Sequence, residues 1–182
     1  MPDYLRSRRA GGLFFFTVVT HRRRPILTLP ESRASLRLAI QTARRAAPFD
    51  IEAWVLLPDH LHCLWSLPEG DGDYPRRWNV IKATFSRLMK HRLHDPDALR
   101  ASRRRHRELA IWQRRYWEHQ IRDEEDLRRH VDYIHFNPAK HGLVSQVADW
   151  PHSTFHRFVA EGIYPANWGG AVECAENGVF GE

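Results

Sequence analysis

The sequence predicts an α+β domain, a four-stranded antiparallel sheet with two helices packed on one face. Three observations predict it. Segments of strand and helix character follow one another in the order strand, helix, strand, strand, helix, strand, helix, with no internal repeat. The length of 182 residues suits one core, since domains commonly run to about 100–150 residues. Hydrophobic residues make up 42%, enough for a single interior, and the 12% that are aromatic include tryptophan at seven positions.

The first strand is Leu13–Val19, a run rich in β-branched and aromatic residues that ends at Arg22-Arg23-Arg24 and Pro25. From Glu31 to about Ala47, Leu36, Ile40 and Ala43 recur at helical spacing with arginines opposite, and Pro48 stops the helix. Ile51–Leu57 and His60–Leu67 are two short apolar runs joined by Pro58-Asp59, which reads as a hairpin. After a loop containing Gly70, Gly72 and Pro75, the residues Trp78, Ile81, Phe85, Leu88 and Met89 mark a second amphipathic helix ending near His91. Ile111–Ile121 alternates well enough for a fourth strand. A third helix starts at about Asp123, which can cap it while Glu124, Glu125 and Asp126 complement its dipole. Its predicted end is Asn137, because proline disfavours helical geometry in the residue before it. Trp150, Phe155, Phe158 and Trp168 then wrap the core. Residues 1–168 are thus read as one domain with a basic N-terminal arm, and 169–182 as a flexible acidic tail.

The net charge is +6 and the pI near 9.8, carried almost wholly by arginine; Lys82, Lys90 and Lys140 are the only lysines. Arginine's planar fork suits phosphate oxygens, although a genomic preference for arginine codons would give the same bias. Cys63 and Cys174 lie far apart, so neither a disulfide framework nor a cysteine zinc site is indicated, and a reducing cytoplasm fits. The apolar run Leu13–Val19 is far shorter than the ~18–20 residues needed to span a bilayer, and no signal peptide or membrane segment is read.

Two motifs carry chemistry. In His60-Leu61-His62 alternate side chains share a face of the strand, so two imidazoles stand side by side and can share one metal ion. In a chain with 12 histidines, the same pair also fits two ordinary hydrogen-bonded side chains. On the third helix Leu127, Val131 and Ile134 form the apolar stripe, while Tyr133 and Asn137, four apart, lie together on an adjacent face near His130. A tyrosine packed at a core edge and an asparagine closing a helix before Pro138 would look the same.

Phe15–Thr20, Leu57-Pro58-Asp59-His60-Leu61-His62, Trp112–Trp117, Tyr133-Ile134-His135-Phe136-Asn137-Pro138 and Asp149-Trp150-Pro151-His152-Ser153 together resemble the REP-associated tyrosine transposases, which belong to the single-tyrosine HUH transposases. The resemblance runs from about Tyr4 to Trp168. It implies a ferredoxin-like HUH endonuclease fold with a separate helix carrying the tyrosine. It makes His60 and His62 metal ligands, Tyr133 the nucleophile and Asn137 the third ligand, a place where related insertion-sequence transposases have glutamine. The middle residue of the histidine motif is hydrophobic in the family, and Leu61 conforms.

The activity so implied is a metal-dependent single-stranded DNA endonuclease and strand transferase, acting on palindromic repeat hairpins through a 5′-phosphotyrosine intermediate. Mixed nitrogen and oxygen ligands suit Mg²⁺ or Mn²⁺. The phosphate-binding candidates are Arg6, Arg8 and Arg9 in the arm, Arg22 and Arg23 after the first strand, Arg114 and Arg115, and Lys140, with a further cluster at Arg103–Arg105. Trp112, Tyr116 and Trp117 are read as either base-stacking or core residues. The expected partners are single-stranded DNA hairpins, the expected location is the cytoplasm beside the nucleoid, and the protein is a monomer or a homodimer. A non-catalytic hairpin-binding regulator derived from such a transposase is the alternative, as is a metal-dependent hydrolase that uses water in place of tyrosine.

Overall fold

The computed structural model describes residues 12–93 and 110–169. The strands are β1 (Leu13–Val19), β2 (Asp50–Leu56), β3 (His60–Ser66) and β4 (Trp117–Gln120). They form one antiparallel sheet in the order β2-β3-β1-β4. The helices are α1 (Pro30–Ala46), α2 (Tyr74–Leu88), the single turn α3 (Lys90–Leu93), α4 (Glu124–Lys140) and α5 (Phe155–Ala160).

Strand periodicity sorts the side chains into two cores. Phe16 and Val18 of β1 and Leu61, Cys63 and Trp65 of β3 point to the face covered by α1 and α2, where they meet Leu36, Ala39, Trp78, Ile81 and Phe85. Trp65 stacks on Trp78 at a ring separation of 4.3 Å. Phe15 of β1 and Leu64 of β3 point the other way, to Leu127, Val131 and Ile134 of α4. Each fully buried side chain of this size contributes roughly 1.5–3 kcal/mol, so both faces are anchored. The two predicted helices share one face as expected, and the tyrosine-bearing helix lies on the other.

Residues 150–168 close the second core. Leu56 N donates to His152 O, Thr154 N donates to Trp54 O, and Val55 bridges Ser153, so this segment lies along the outer edge of β2. Phe155, Phe158 and Tyr164 then pack beneath it with Trp150 and Trp168 at the margin.

The structure differs from the sequence-based expectation at two places. The fourth strand, expected over 111–121, is interrupted. Thr20 faces Trp112 whereas Thr17 faces Trp117, so the chain advances five residues here against three on β1. The surplus forms a bulge containing Arg114 and Arg115, both exposed. Trp112 and Tyr116 on either side of it turn into the first core, and Trp117 packs against Phe15. The tyrosine helix also runs past its expected end at Asn137 to Lys140, with Pro138 inside it. Its stop is Gly142 at φ 66°, where Leu143 N donates to Pro138 O and Gly142 N to Ala139 O. That pair of bonds satisfies the last carbonyls and needs the left-handed residue glycine supplies.

Candidate active site

Both histidines of the β3 motif are buried on the α4 face of the sheet, with ring centroids 4.9 Å apart. Each is oriented from behind. His60 Nδ1 lies 2.6 Å from Asp59 Oδ1, and Arg23 donates to the other carboxylate oxygen at 3.2 Å. His62 Nδ1 lies 2.9 Å from the hydroxyl of Thr17, its directly paired neighbour on β1. In the tautomer whose Nδ1–H donates to these oxygens, Nε2 is the ring nitrogen that carries the lone pair. A partner on one ring nitrogen fixes which nitrogen is left to bind a metal.

Burial pushes the His60 imidazole below its ordinary pKa, aided by the neighbouring His141 and Arg23 and opposed by Asp59. The ring is therefore neutral near pH 7, as a metal ligand requires. Burial pushes the Asp59 carboxyl up, but hydrogen bonds and charge from His60 and Arg23 outweigh it and hold Asp59 below the usual carboxylate range. His60 Nε2 is buried and makes no hydrogen bond among the described residues. A buried acceptor atom of this kind is costly unless something occupies it, so the residues present fit a bound cation.

Helix α4 brings the phenol. The Tyr133 ring stands edge-on to His62 at 5.1 Å and to Phe15 at 6.1 Å. One turn further, Asn137 is fully buried, and Lys140 Nζ reaches 3.5 Å from the Tyr133 hydroxyl while lying 4.8 Å over its ring. The structure thus brings His62, Tyr133 and Lys140 together, with His60 beside His62 and Asn137 buried one turn along α4 from Tyr133. Arg22 and Arg23 follow β1 at the sheet end where Val19 pairs with His60. Arg114 and Arg115 flank the same end, because Gln113 N donates to Val19 O. Arg6, Arg8, Arg9 and Arg103–Arg105 lie outside the described residues.

Arg22 and Arg23 both hold positive φ, 57° and 50°. Such backbone costs a non-glycine residue about 1–2 kcal/mol and collects at functional sites.

Four site residues escaped the sequence reading. Thr17 and Asp59 orient the histidines, and strand register, which decides what faces His62, is not legible in one sequence. His141 stacks edge-on to His60 at 5.2 Å. Its spacing of four from Asn137 would have found it, had the helix not been ended at Pro138. Asp126 is the fourth. It is buried, accepts from His119 Nε2 at 2.7 Å and from Arg122 N at 3.1 Å, and lies 3.2 Å from His130 Nδ1. His119, Asp126 and His130 have ligand atoms within 4.8 Å of one another, a His/His/Asp cluster that could chelate a divalent metal. Its imidazole rings stack nearly parallel at 4.6 Å.

No family model matches the chain. A REP-associated tyrosine transposase from Escherichia coli (strain K12) is 47% identical over 172 residues, covering 94% of this chain and 93% of the relative. The chain belongs to the REP-associated tyrosine transposases. A second curated relative under that family name, from Haemophilus influenzae, is 43% identical over 93% of this chain and 94% of its own length. A solved REP-associated tyrosine transposase bound to a REP hairpin superposes with a TM-score of 0.77 at 46% identity, covering all of this chain and 98% of the other. This transposase therefore has the HUH endonuclease fold of its family. Its activity class is that of a tyrosine transposase, which nicks and joins DNA. Among the described residues no helix is long and apolar enough to cross a membrane.

Proposed function

We propose that this chain cleaves and rejoins single-stranded DNA at palindromic repeat hairpins, with Tyr133 as the nucleophile and His60, His62 and Asn137 as the ligands of one divalent cation. The observation that carries this reading is the 5.1 Å approach of the Tyr133 ring to His62, beside the buried His60 Nε2. A phenol on one element faces a ligand pair on another, so a phosphate lodged between them meets both. The solved relative bound to a REP hairpin supports the substrate class.

When bound, Mg²⁺ or Mn²⁺ would polarise the scissile phosphate and stabilise charge on the leaving oxygen. The chain's own groups do the rest. Tyr133 Oη attacks phosphorus in line; the Oη–P bond forms, the P–O3′ bond breaks, and the phenolic proton is balanced by the one the 3′-oxygen gains. The products are a 5′-phosphotyrosine and a free 3′-hydroxyl. Because the phosphodiester is conserved, a 3′-hydroxyl reverses the step and joins strands without ATP. Arg22, Arg23, Arg114, Arg115 and Lys140, with Arg6, Arg8 and Arg9 of the arm, supply the phosphate-binding surface. A protein acting on such repeats would work in the cytoplasm, at the nucleoid.

Tyr133→Phe decides the matter. It should bind a repeat-hairpin oligonucleotide like the parent yet form no denaturant-resistant protein–DNA band, while His62→Ala loses metal-dependent cleavage. Adduct formation by the phenylalanine variant would remove Tyr133 from the mechanism. Cleavage by that variant without an adduct would point to a water nucleophile.

A further inference from the structure

We infer that Lys140 is a catalytic residue in both cleavage and rejoining, placed to hold the nucleophilic oxygen and to neutralise charge as it moves between phenol and phosphate. The inference rests on the assignment of Tyr133 as the nucleophile and goes beyond phosphate anchoring. Tyr133, Asn137 and Lys140 are spaced four and three apart and share one face of α4. Lys140 Nζ donates to Tyr133 Oη at 3.5 Å and lies 4.8 Å over the ring, while His62 meets the ring edge-on at 5.1 Å. The phenol is therefore held between an ammonium and the imidazole wall.

An ammonium carries three donors and no acceptor, so Oη accepts from Lys140 and its own proton points elsewhere. That contact engages one lone pair of Oη. As the Oη–P bond forms, negative charge builds on the non-bridging oxygens of the phosphorus that Oη joins, next to the oxygen Lys140 already contacts. In rejoining, the O3′–P bond forms, the Oη–P bond breaks, and the proton of the 3′-hydroxyl ends on the phenol; the same ammonium then faces the departing oxygen. The residue type agrees with this placement. Basic positions in this chain are otherwise nearly all arginine, with Lys82 and Lys90 the other lysines. A compact point charge suits one oxygen, whereas a planar fork suits a pair.

The test compares Lys140→Met, Lys140→Gln and Lys140→Arg with the parent, using a synthetic single-stranded REP-type hairpin and Mn²⁺. Hairpin affinity, the single-turnover rate of adduct formation, and the rate at which purified adduct joins a 3′-hydroxyl acceptor are measured. Lys140 is exposed, so its replacement leaves no gap in a core. Met and Gln should bind the hairpin within about threefold of the parent, lose roughly 10–100-fold in both rates, and be partly restored by Arg. The inference is overturned if Gln or Met reacts at the parental rate, or if affinity falls by the same factor as the rates, which would make Lys140 a phosphate anchor alone. Tyr133→Phe is run beside them. An adduct from that variant would refute the nucleophile assignment itself, a failure distinct from that of Lys140.

Discussion

At Asp59 a single carboxylate links Arg23 to the histidine pair, since one oxygen meets His60 Nδ1 and the other receives Arg23. Partners of this kind set the direction and basicity of a ligating imidazole, and their loss typically costs 10–100-fold in metal affinity. Asp59→Asn keeps the shape and removes the charge. It should weaken Mn²⁺ binding in calorimetric titration by at least about tenfold; undiminished affinity would show that His60 is not a ligand. The sequence exposed His60 and His62 through the period of two along a strand, and Tyr133 and Asn137 through the period of a helix. It hid Thr17, because pairing across strands is a tertiary fact, and it hid His141 behind an overvalued proline.

Helix α4 is aimed by its first turn as much as by its apolar stripe. Asp123 caps it by accepting from Asp126 N at 2.8 Å, and Asp126 in turn gathers His119 and Arg122 from β4 and the connection after it. Burial pushes the Asp126 carboxyl up, but His119, Arg122 and His130 together bring it to about 2. A carboxylate lowered from 3.8 to about 2 stabilises the fold above pH 3.8, and that contribution fades as pH falls toward 2. Asp126→Asn should therefore cost about 2 kcal/mol at pH 7, in chemical denaturation, with the gap from the parent closing between about pH 4 and 2. A gap that stays constant over that range would mean shape, not charge, is what Asp126 provides. Element order, both helix faces and the hairpin were legible because each rests on local periodicity and turn chemistry. The bulge at Arg114 and Arg115 was not, because two surplus residues in one strand leave the alternation of the segment almost intact.

Over the whole molecule, the basic surface is organised around one end of the sheet. Arg22 and Arg23 after β1, and Arg114 and Arg115 in the bulge paired beside it, border the end that carries the histidines. Each phosphate contact to a single strand contributes about 0.7 to the slope of log affinity against log salt. Replacing Arg114 and Arg115 together with alanine should flatten that slope by up to about 1.4 for a hairpin oligonucleotide, in fluorescence anisotropy across a salt series. An unchanged slope would move the DNA path away from the bulge.

The seven residues of β3 serve two masters. His60 and His62 look toward α4, and Leu61, Cys63 and Trp65 between them fill the opposite core. Sliding this strand by one position against β1 would drive both imidazoles into the apolar core and turn a leucine and a thiol toward α4. Misfolding and loss of chemistry are thus the same event here, and selection for a stable sheet guards the reactive centre at no separate cost.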